Sequence, residues 1–165
     1  MQVTFLGDPI EVKGQPVQVG DLAPDAKVKD IQGQEQSLAD LLKGKVTVLS
    51  VVPDVTTQTC HLQTKKFAEL AAEGDWNFYT ISRNLPSEFK QWNEDNHLNV
   101  QTLTDESGEF GDQYGLVINL GGKELLTRSV FVVDPQGVIQ YRQIVDEVSE
   151  QPDYDPVIET VNRLQ

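Results

Sequence analysis

The chain of 165 residues contains a single cysteine, Cys60, and this scarcity already excludes several classes of protein. One thiol cannot form an internal disulfide, so the chain is not a small secreted domain that depends on such bonds. A single free thiol also suits a reducing compartment, in which it stays available for chemistry. We therefore expect a cytoplasmic protein.

Long apolar runs are missing as well. No stretch approaches the roughly 18 apolar residues of a membrane span, and no basic segment followed by an apolar one opens the chain. Hydrophobic residues make up 38% of the composition, which is enough for one globular core in a chain of this length. We expect no membrane partner and a single domain over residues 1–165.

Positive charge is in short supply, because 13 Lys and Arg residues face 26 Asp and Glu residues, a formal net charge of −13. Proteins bind nucleic acids through clustered Lys and Arg side chains, so we expect no nucleic-acid partner. The two histidines, His61 and His97, lack the spacing of metal ligands, and we expect neither a metal ion nor another cofactor.

What the chain does have is a strongly apolar segment directly before its cysteine. Residues 46–52 (VTVLSVV) predict a central strand that is buried on both faces and that ends at Pro53. Thr64 and Phe67 continue the face of Cys60 at helical spacing, which places Cys60 in the first turn of a helix. A helix N-terminus favours the reactive thiolate, but cysteine is also a common apolar core residue. Position alone leaves both interpretations open.

Elsewhere, predicted strands alternate with predicted helices. The predicted elements are a β-hairpin in residues 1–20, a short helix in 37–42 with Ser37 as its cap, a strand at 77–82, a helix from Pro86 through Trp92, a short strand near 100–103, an antiparallel hairpin of 129–133 and 138–142, and a final amphipathic helix from Tyr154 to Leu164. We interpret 105–115 as mainly loop with one helical turn, and the first hairpin as an edge decoration. The alternation predicts an α/β fold with a mixed sheet between helices.

The cysteine and three other residues form a recognisable pattern. Pro53, Thr57 and Cys60 give P-x-x-x-T-x-x-C, and Arg128 stands directly before the apolar strand 129–133. This pattern resembles the active-site signature of the peroxiredoxins. Five further segments resemble the thiol peroxidase branch of that family, and they are Val3–Gly7, Val19–Pro24, Leu49–Pro53, Ser82–Pro86 and Thr127–Phe131. The resemblance implies a thioredoxin-like fold with an N-terminal β-hairpin.

The same resemblance implies a peroxidase that reduces alkyl hydroperoxides and hydrogen peroxide. Cys60 would attack the peroxide and become a sulfenic acid. Thr57 would hold the sulfur and the peroxide, while Arg128 would favour the thiolate and the developing negative charge. Pro53 would shield the sulfur and shape the loop. Taken without the pattern, Thr57 could be only a helix cap and Arg128 only a surface arginine.

The chain departs from the family pattern at the resolving cysteine, whose position is occupied by Asn93. A sulfenic acid at Cys60 must then be reduced by an outside thiol, either thioredoxin or a low-molecular-weight thiol. The family also implies a homodimer. An alternative function is a redox-responsive sensor or binding protein with slow turnover, which would work through a mixed disulfide or a Cys60–Cys60 bridge between subunits.

Three more departures flank the site. Asp54 stands where the branch usually has serine, Thr56 where it usually has aspartate, and Asn84 where an acidic residue is usual. A carboxylate close to the sulfur would oppose thiolate formation, whereas one that faces solvent would have little effect. The sequence leaves both orientations of Asp54 open.

Overall fold

The computed structural model describes residues 1–165, which fold around a seven-stranded mixed sheet. The eleven strands are β1 (Gln2–Phe5), β2 (Asp8–Glu11), β3 (Lys27–Lys29), β4 (Glu35–Ser37), β5 (Thr47–Val51), β6 (Asn77–Ser82), β7 (Thr102–Thr104), β8 (Val117–Leu120), β9 (Lys123–Leu126), β10 (Ser129–Val133) and β11 (Ile139–Ile144). The five helices are α1 (Leu38–Leu41), α2 (Gln58–Ala72), α3 (Pro86–Asn96), α4 (Glu109–Tyr114) and α5 (Asp155–Leu164).

Strand β5 lies inside the sheet, whose order is β11-β10-β5-β6-β7-β3-β4. It pairs with β6 in parallel and with β10 in antiparallel orientation. All five of its residues are buried, as expected for a strand with packed side chains on both faces. The prediction of a buried central strand before Cys60 is confirmed.

The two largest of three clusters of buried apolar side chains pack against the central sheet, and alternating residues of β5 contribute to them. Leu49 and Val51 belong to the first cluster, together with side chains from α1 and α4. Val48 belongs to the second, together with side chains from α2, α3 and α5. Because successive strand residues point to opposite faces, the two clusters lie on opposite sides of the sheet. Helices therefore cover both faces.

The N-terminal hairpin of β1 and β2 is confirmed, and it forms a small sheet of its own. Its two-residue turn holds Leu6 and Gly7 at φ 50° and 88°, the left-handed conformation that matches the twist of a tight hairpin. The Thr4 N–H donates to the Asp146 carbonyl, and the Val148 N–H donates to the Thr4 carbonyl, both at 2.7 Å. The hairpin is therefore held by the segment that follows β11.

The start of α1 differs from the prediction that Ser37 caps the helix. The Ser37 hydroxyl makes no capping bond and donates instead to Asp25 Oδ1, at 2.9 Å. The same oxygen accepts from the Ala39 N–H at 3.0 Å, so a carboxylate from the preceding loop takes over the role of the cap. These bonds, with that of Ala39 the strongest, hold the pKa of Asp25 below its usual value.

The remaining predicted elements are present. Strands β6 and β10 have the predicted bounds, α3 begins at Pro86 as predicted, and the ends of the other elements are shifted slightly. Strands β10 and β11 form the predicted antiparallel pair. The helical turn expected within 105–115 is α4, and the strand expected near 100–103 is β7.

Two pairs of strands were not predicted: β3 with β4, and β8 with β9. The second pair turns through Gly121 and Gly122, both at positive φ. Two glycines between two apolar segments are a recognised hairpin signal, and it was available in the sequence. None of the helices combines the length and the apolar character that crossing a bilayer requires.

Candidate active site

Cys60 is the third residue of α2 and is fully buried. Strand β5 ends at Val51, and the connecting loop returns the chain into the helix so that the first turn faces the interior. The Thr64 hydroxyl donates to the Cys60 carbonyl at 2.9 Å, inside the helix. The predicted position of the thiol in a first helical turn is thus the observed one.

The Arg128 guanidinium touches the sulfur. Its Nη2 donates to Cys60 Sγ at 3.2 Å, its Nε donates to the Val148 carbonyl at 2.8 Å, and its Nη1 donates to Gln63 Oε1 at 2.9 Å. Arg128 is only 2% exposed, so the alternative of a surface arginine is wrong. The position between β9 and β10 brings the guanidinium across to the first turn of α2.

This buried cation forms no ion pair with any carboxylate. Its neighbours Gln63 and Val148 supply only neutral oxygen atoms. A buried charge without a counter-ion is costly. The guanidinium donates to Cys60 Sγ at hydrogen-bond distance, so it can stabilise negative charge that develops on the sulfur.

Gln63 is a site residue that the sequence interpretation missed. It is fully buried, its Oε1 accepts from Arg128, and its Nε2 donates to Ser50 Oγ at 2.9 Å. The signal was its position three residues after Cys60, because that spacing places both side chains on one helix face. A polar residue on an otherwise buried face needs a partner, and here the partner is the arginine.

Thr57 occupies the N-cap position of α2, but its side chain caps nothing. Its hydroxyl donates to the Asp54 carbonyl at 2.8 Å and makes no hydrogen bond to the sulfur. Thr57 is therefore the N-cap residue by position, as the helix-cap alternative has it, but its side chain makes no capping bond. The hydroxyl oxygen keeps its acceptor capacity, because its only proton is committed to Asp54.

A cavity of about 340 Å³ opens beside the sulfur, and Thr57, Cys60 and Arg128 all line it. Its apolar walls are formed by Phe5, Pro53, Leu120, Leu125 and Val148. Phe5 comes from the N-terminal hairpin, which makes the interpretation of that hairpin as an edge decoration wrong. Leu120 and Leu125 come from the unpredicted β8–β9 pair, so both small hairpins build the site.

Asp54, which also lines the cavity, is held by Asn84. Its Oδ1 accepts from Asn84 Nδ2 at 3.0 Å and from the N–H and hydroxyl of Thr56 at 3.0 and 2.7 Å. Asn84 Oδ1 accepts in turn from the Val55 N–H and the Ser82 hydroxyl, at 2.8 and 2.6 Å. Burial opposes ionisation of Asp54, but the bonds from Asn84 and Thr56 outweigh it and lower the pKa.

Asn93, which is expected from the family pattern to stand at the resolving-cysteine position, is a buried residue in α3. Its Nδ2 donates to the Val100 carbonyl at 3.2 Å, and its Oδ1 accepts from the Val100 N–H at 2.9 Å. These two hydrogen bonds connect α3 to the segment before β7. Cys60 is the only thiol, so nothing within the chain can form a disulfide with it.

Glu147 joins the N-terminal hairpin to the segment that holds Arg128. Its carboxylate accepts from the Thr4 hydroxyl at 2.9 Å, from the N–H groups of Leu6 and Gly7 at 3.0 and 2.9 Å, and from the Ser149 N–H at 2.9 Å. The Ser149 hydroxyl also donates to it, and these bonds, with that hydroxyl first, lower the pKa of Glu147 to about 2. Its neighbour Val148 supplies the carbonyl that accepts from Arg128 Nε.

A buried thiol in the first turn of a helix, with an arginine on its sulfur, is the arrangement expected of a peroxiredoxin. Comparison with known proteins agrees with this class. The sequence profile of the AhpC/TSA family matches residues 19–142, and the chain belongs to that family.

Individual relatives are similar over almost the whole chain. A thiol peroxidase of Bacillus subtilis (strain 168) is 43% identical over 99% of this chain and 98% of its own length. A thiol peroxidase of Staphylococcus haemolyticus is 41% identical over 99% of both chains. The resemblance to the thiol peroxidase branch is thereby confirmed, and the chain has a single cysteine.

Solved structures share the fold. A peroxiredoxin-like protein from Aquifex aeolicus superposes with a TM-score of 0.90 at 32% identity, covering 99% of this chain and 97% of its own. A thiol peroxidase from Chromobacterium violaceum, at 15% identity, shares the fold with a TM-score of 0.89 over 99% of this chain and 96% of its own. The predicted thioredoxin-like α/β fold with an N-terminal hairpin is confirmed.

Proposed function

We propose that this protein is a thiol-dependent peroxidase in which Cys60 reduces alkyl hydroperoxides and hydrogen peroxide. The observation that carries the proposal is the 3.2 Å contact between the buried Cys60 Sγ and Arg128 Nη2, whose guanidinium pairs with no carboxylate. The similarity to thiol peroxidases over nearly the whole chain supports it.

In the first step the Cys60 thiolate attacks one peroxide oxygen, and the O–O bond breaks. The sulfur becomes a sulfenic acid, and the other oxygen leaves as an alkoxide that takes up a proton to form an alcohol. Negative charge passes from sulfur to the leaving oxygen during this step. Arg128 donates to the sulfur before the reaction and stabilises the charge that develops beside it, without reorganisation.

Thr57 orients the peroxide in this account. Its hydroxyl proton is committed to the Asp54 carbonyl, which leaves the oxygen to accept a hydrogen bond from the O–H of an incoming hydroperoxide. Pro53 lies in the loop before α2, lines the cavity and limits the directions from which a peroxide can approach the sulfur.

The walls of the cavity favour an organic group on the peroxide. Five apolar side chains surround a space of about 340 Å³, enough for an alkyl or aryl substituent. Burial of such a group contributes about 25 cal/mol for each Å² removed from water, a gain that hydrogen peroxide cannot make. Alkyl hydroperoxides are therefore the preferred substrates.

An outside thiol completes the cycle. It condenses with the sulfenic acid of Cys60 to give a mixed disulfide and water, and a second thiol then releases reduced Cys60 and a free disulfide. Thioredoxin or a low-molecular-weight thiol serves as the reductant. The protein acts in the cytoplasm, as one domain over residues 1–165 and as a homodimer, which sedimentation at several concentrations would test.

Steady-state turnover distinguishes this enzyme from a redox sensor. We expect many equivalents of cumene hydroperoxide to be consumed per protein chain when a thiol donor is present, and none by the Cys60→Ser variant. Oxidation that stops after one equivalent despite excess thiol would support the sensor and contradict the proposal.

A further inference from the structure

The cavity beside Cys60 contains a negative charge that the peroxide step does not use. Asp54 lines this cavity, and all three of its side-chain hydrogen bonds go to Oδ1. Its Oδ2 accepts no hydrogen bond from the protein. Asn84 and Thr56 therefore hold an ionised carboxylate in place at the cavity and leave one of its oxygens free.

The positive charges around the cavity do not neutralise the charge of the Asp54 carboxylate. Arg128 is fully engaged with Cys60, Gln63 and Val148 at the inner end. Lys123, on the exposed side, is the cation whose charge acts on Asp54, and water and salt screen it. The carboxylate of Glu147, bonded to Ser149 of the lining, adds a second negative charge nearby.

The reductant must enter this same cavity. Cys60 is fully buried, and the space above it is about 340 Å³, which matches a small molecule better than a folded protein surface. A small thiol that approaches the sulfenic acid enters a cavity that the Asp54 carboxylate lines. The net charge of −13 also repels any anion that approaches from solvent.

We propose that Asp54 selects the thiol that reduces oxidised Cys60, favouring small thiols with a cationic or uncharged tail over thiols with a carboxylate tail. This proposal rests on the proposed peroxidase function and specifies its second half. The first thiol forms a mixed disulfide with Cys60 and releases water, and the second releases the reduced cysteine and a disulfide. Only the approach of the two thiols depends on Asp54.

The test uses three thiols of similar size with different charge: cysteamine, 2-mercaptoethanol and 3-mercaptopropionate. Wild-type protein is first oxidised with one equivalent of cumene hydroperoxide, and the loss of sulfenic acid is then followed after mixing with each thiol. Rates are expressed per thiolate present. The readout is the ratio of the cysteamine rate to the 3-mercaptopropionate rate, compared between wild type and Asp54→Asn, so intrinsic thiol reactivity cancels.

We expect this ratio to fall about 3- to 30-fold in Asp54→Asn, the range for removal of one charge near a partly solvated site. Asparagine keeps the Oδ1 acceptor for Asn84 and Thr56. In the wild type, 0.5 M NaCl should lower the cysteamine rate, raise the 3-mercaptopropionate rate and leave the 2-mercaptoethanol rate unchanged. A second variant, Asp54→Ser, removes the same charge and provides the same comparison of ratios if Asp54→Asn does not fold.

An unchanged ratio in Asp54→Asn, or salt-independent rates for both charged thiols, would overturn the proposal. Such a result would leave the peroxidase function intact, because oxidation of Cys60 is measured separately in the first mixing step. Failure of that first step would instead contradict the proposed function itself.

Discussion

Arg128 Nη2 lies 3.2 Å from Cys60 Sγ, and the two residues are 68 positions apart in the chain. The contact joins the entry of β10 to the first turn of α2, and both residues line the cavity. The guanidinium has no carboxylate partner, so its charge is directed at the sulfur. Most of the chemistry expected of this protein depends on that pair.

Replacement of the arginine should therefore slow the peroxide step. In Arg128→Lys the charge remains, but an ammonium group cannot bond Cys60, Gln63 and Val148 together in the geometry of the guanidinium. We expect the second-order rate constant with cumene hydroperoxide to fall about 10²-fold or more, measured by stopped-flow tryptophan fluorescence. Arg142→Lys is the matched control, because Arg142 bonds the Val17 carbonyl outside the site and should leave the rate unchanged. Equal losses in both variants would contradict this role of Arg128.

Gln63 should affect both stability and the rate of the peroxide step, because it bonds Arg128. In Gln63→Leu the side chain keeps its approximate volume, but Arg128 Nη1 and Ser50 Oγ lose their partner. We expect a loss of about 1–3 kcal/mol in the free energy of unfolding and a slower peroxide step. Urea unfolding and stopped-flow measurements check the two effects separately. A variant that loses stability but reacts at the wild-type rate would show that Gln63 only supports the fold.

Local sequence patterns were sufficient to predict the main elements of the fold. Val46 to Val52 is a buried strand by composition, Pro86 marks a helix start, and residues 134–137 are a turn. These features depend on neighbours in sequence, which is why the sequence reveals them. The N-terminal hairpin was also recognised, although its contribution of Phe5 to the cavity depends on contacts with residues about 140 positions away.

The polar network of the site could not be predicted in the same way. Asp54 and Asn84 are 30 residues apart, and nothing local in either segment shows that their side chains meet. The structure pairs the carboxylate of one unusual residue with the amide of the other. Thr57 was expected to hold the sulfur, but its hydroxyl bonds the Asp54 carbonyl instead, and that bond depends on the path of the loop.

The Asp54–Asn84 pair leads to a prediction in which a second substitution should restore the stability that the first one removes. Asn84→Asp would place two carboxylates where a 3.0 Å hydrogen bond now lies, and their repulsion should destabilise the fold by about 1–3 kcal/mol at pH 7. The deficit should shrink as the pH falls and one carboxyl becomes protonated. The double variant Asp54→Ser with Asn84→Asp keeps one carboxylate and should regain most of the stability. Additive losses in a double-mutant cycle would contradict the pairing.

Glu147 should make the stability depend on pH in the acid range. Its bonds to Ser149, Leu6 and Gly7 lower its pKa from 4.5 to about 2, so the folded state favours the ionised form. The stabilisation is present above about pH 4.5 and disappears as the pH falls toward 2. We expect the difference in urea midpoint between wild type and Glu147→Gln to be largest near neutral pH and to vanish at low pH. Glu150→Gln, an exposed change next to the same segment, should show no such dependence.

Asn93 should contribute to stability and not to the reaction with peroxide. Asn93→Ala removes both bonds to Val100 and leaves two buried backbone groups unpaired, which should cost about 1–3 kcal/mol in unfolding free energy. The control Asn99→Ala removes an exposed side chain and should change stability by less than about 0.5 kcal/mol. The rate of Cys60 with cumene hydroperoxide should match the wild type in both variants. A much slower reaction in Asn93→Ala would give this position a role that the structure does not indicate.

The most direct test of the account is the rate at which reduced Cys60 reacts with cumene hydroperoxide in a single turnover. Stopped-flow tryptophan fluorescence gives the rate, intact mass identifies one added oxygen, and Cys60→Ser is the control. With Arg128 in place, we expect the thiolate to react at least about 10²–10³ times faster than free cysteine at the same pH. A rate equal to that of free cysteine would contradict the claim that the Arg128 contact makes Cys60 a peroxidatic nucleophile.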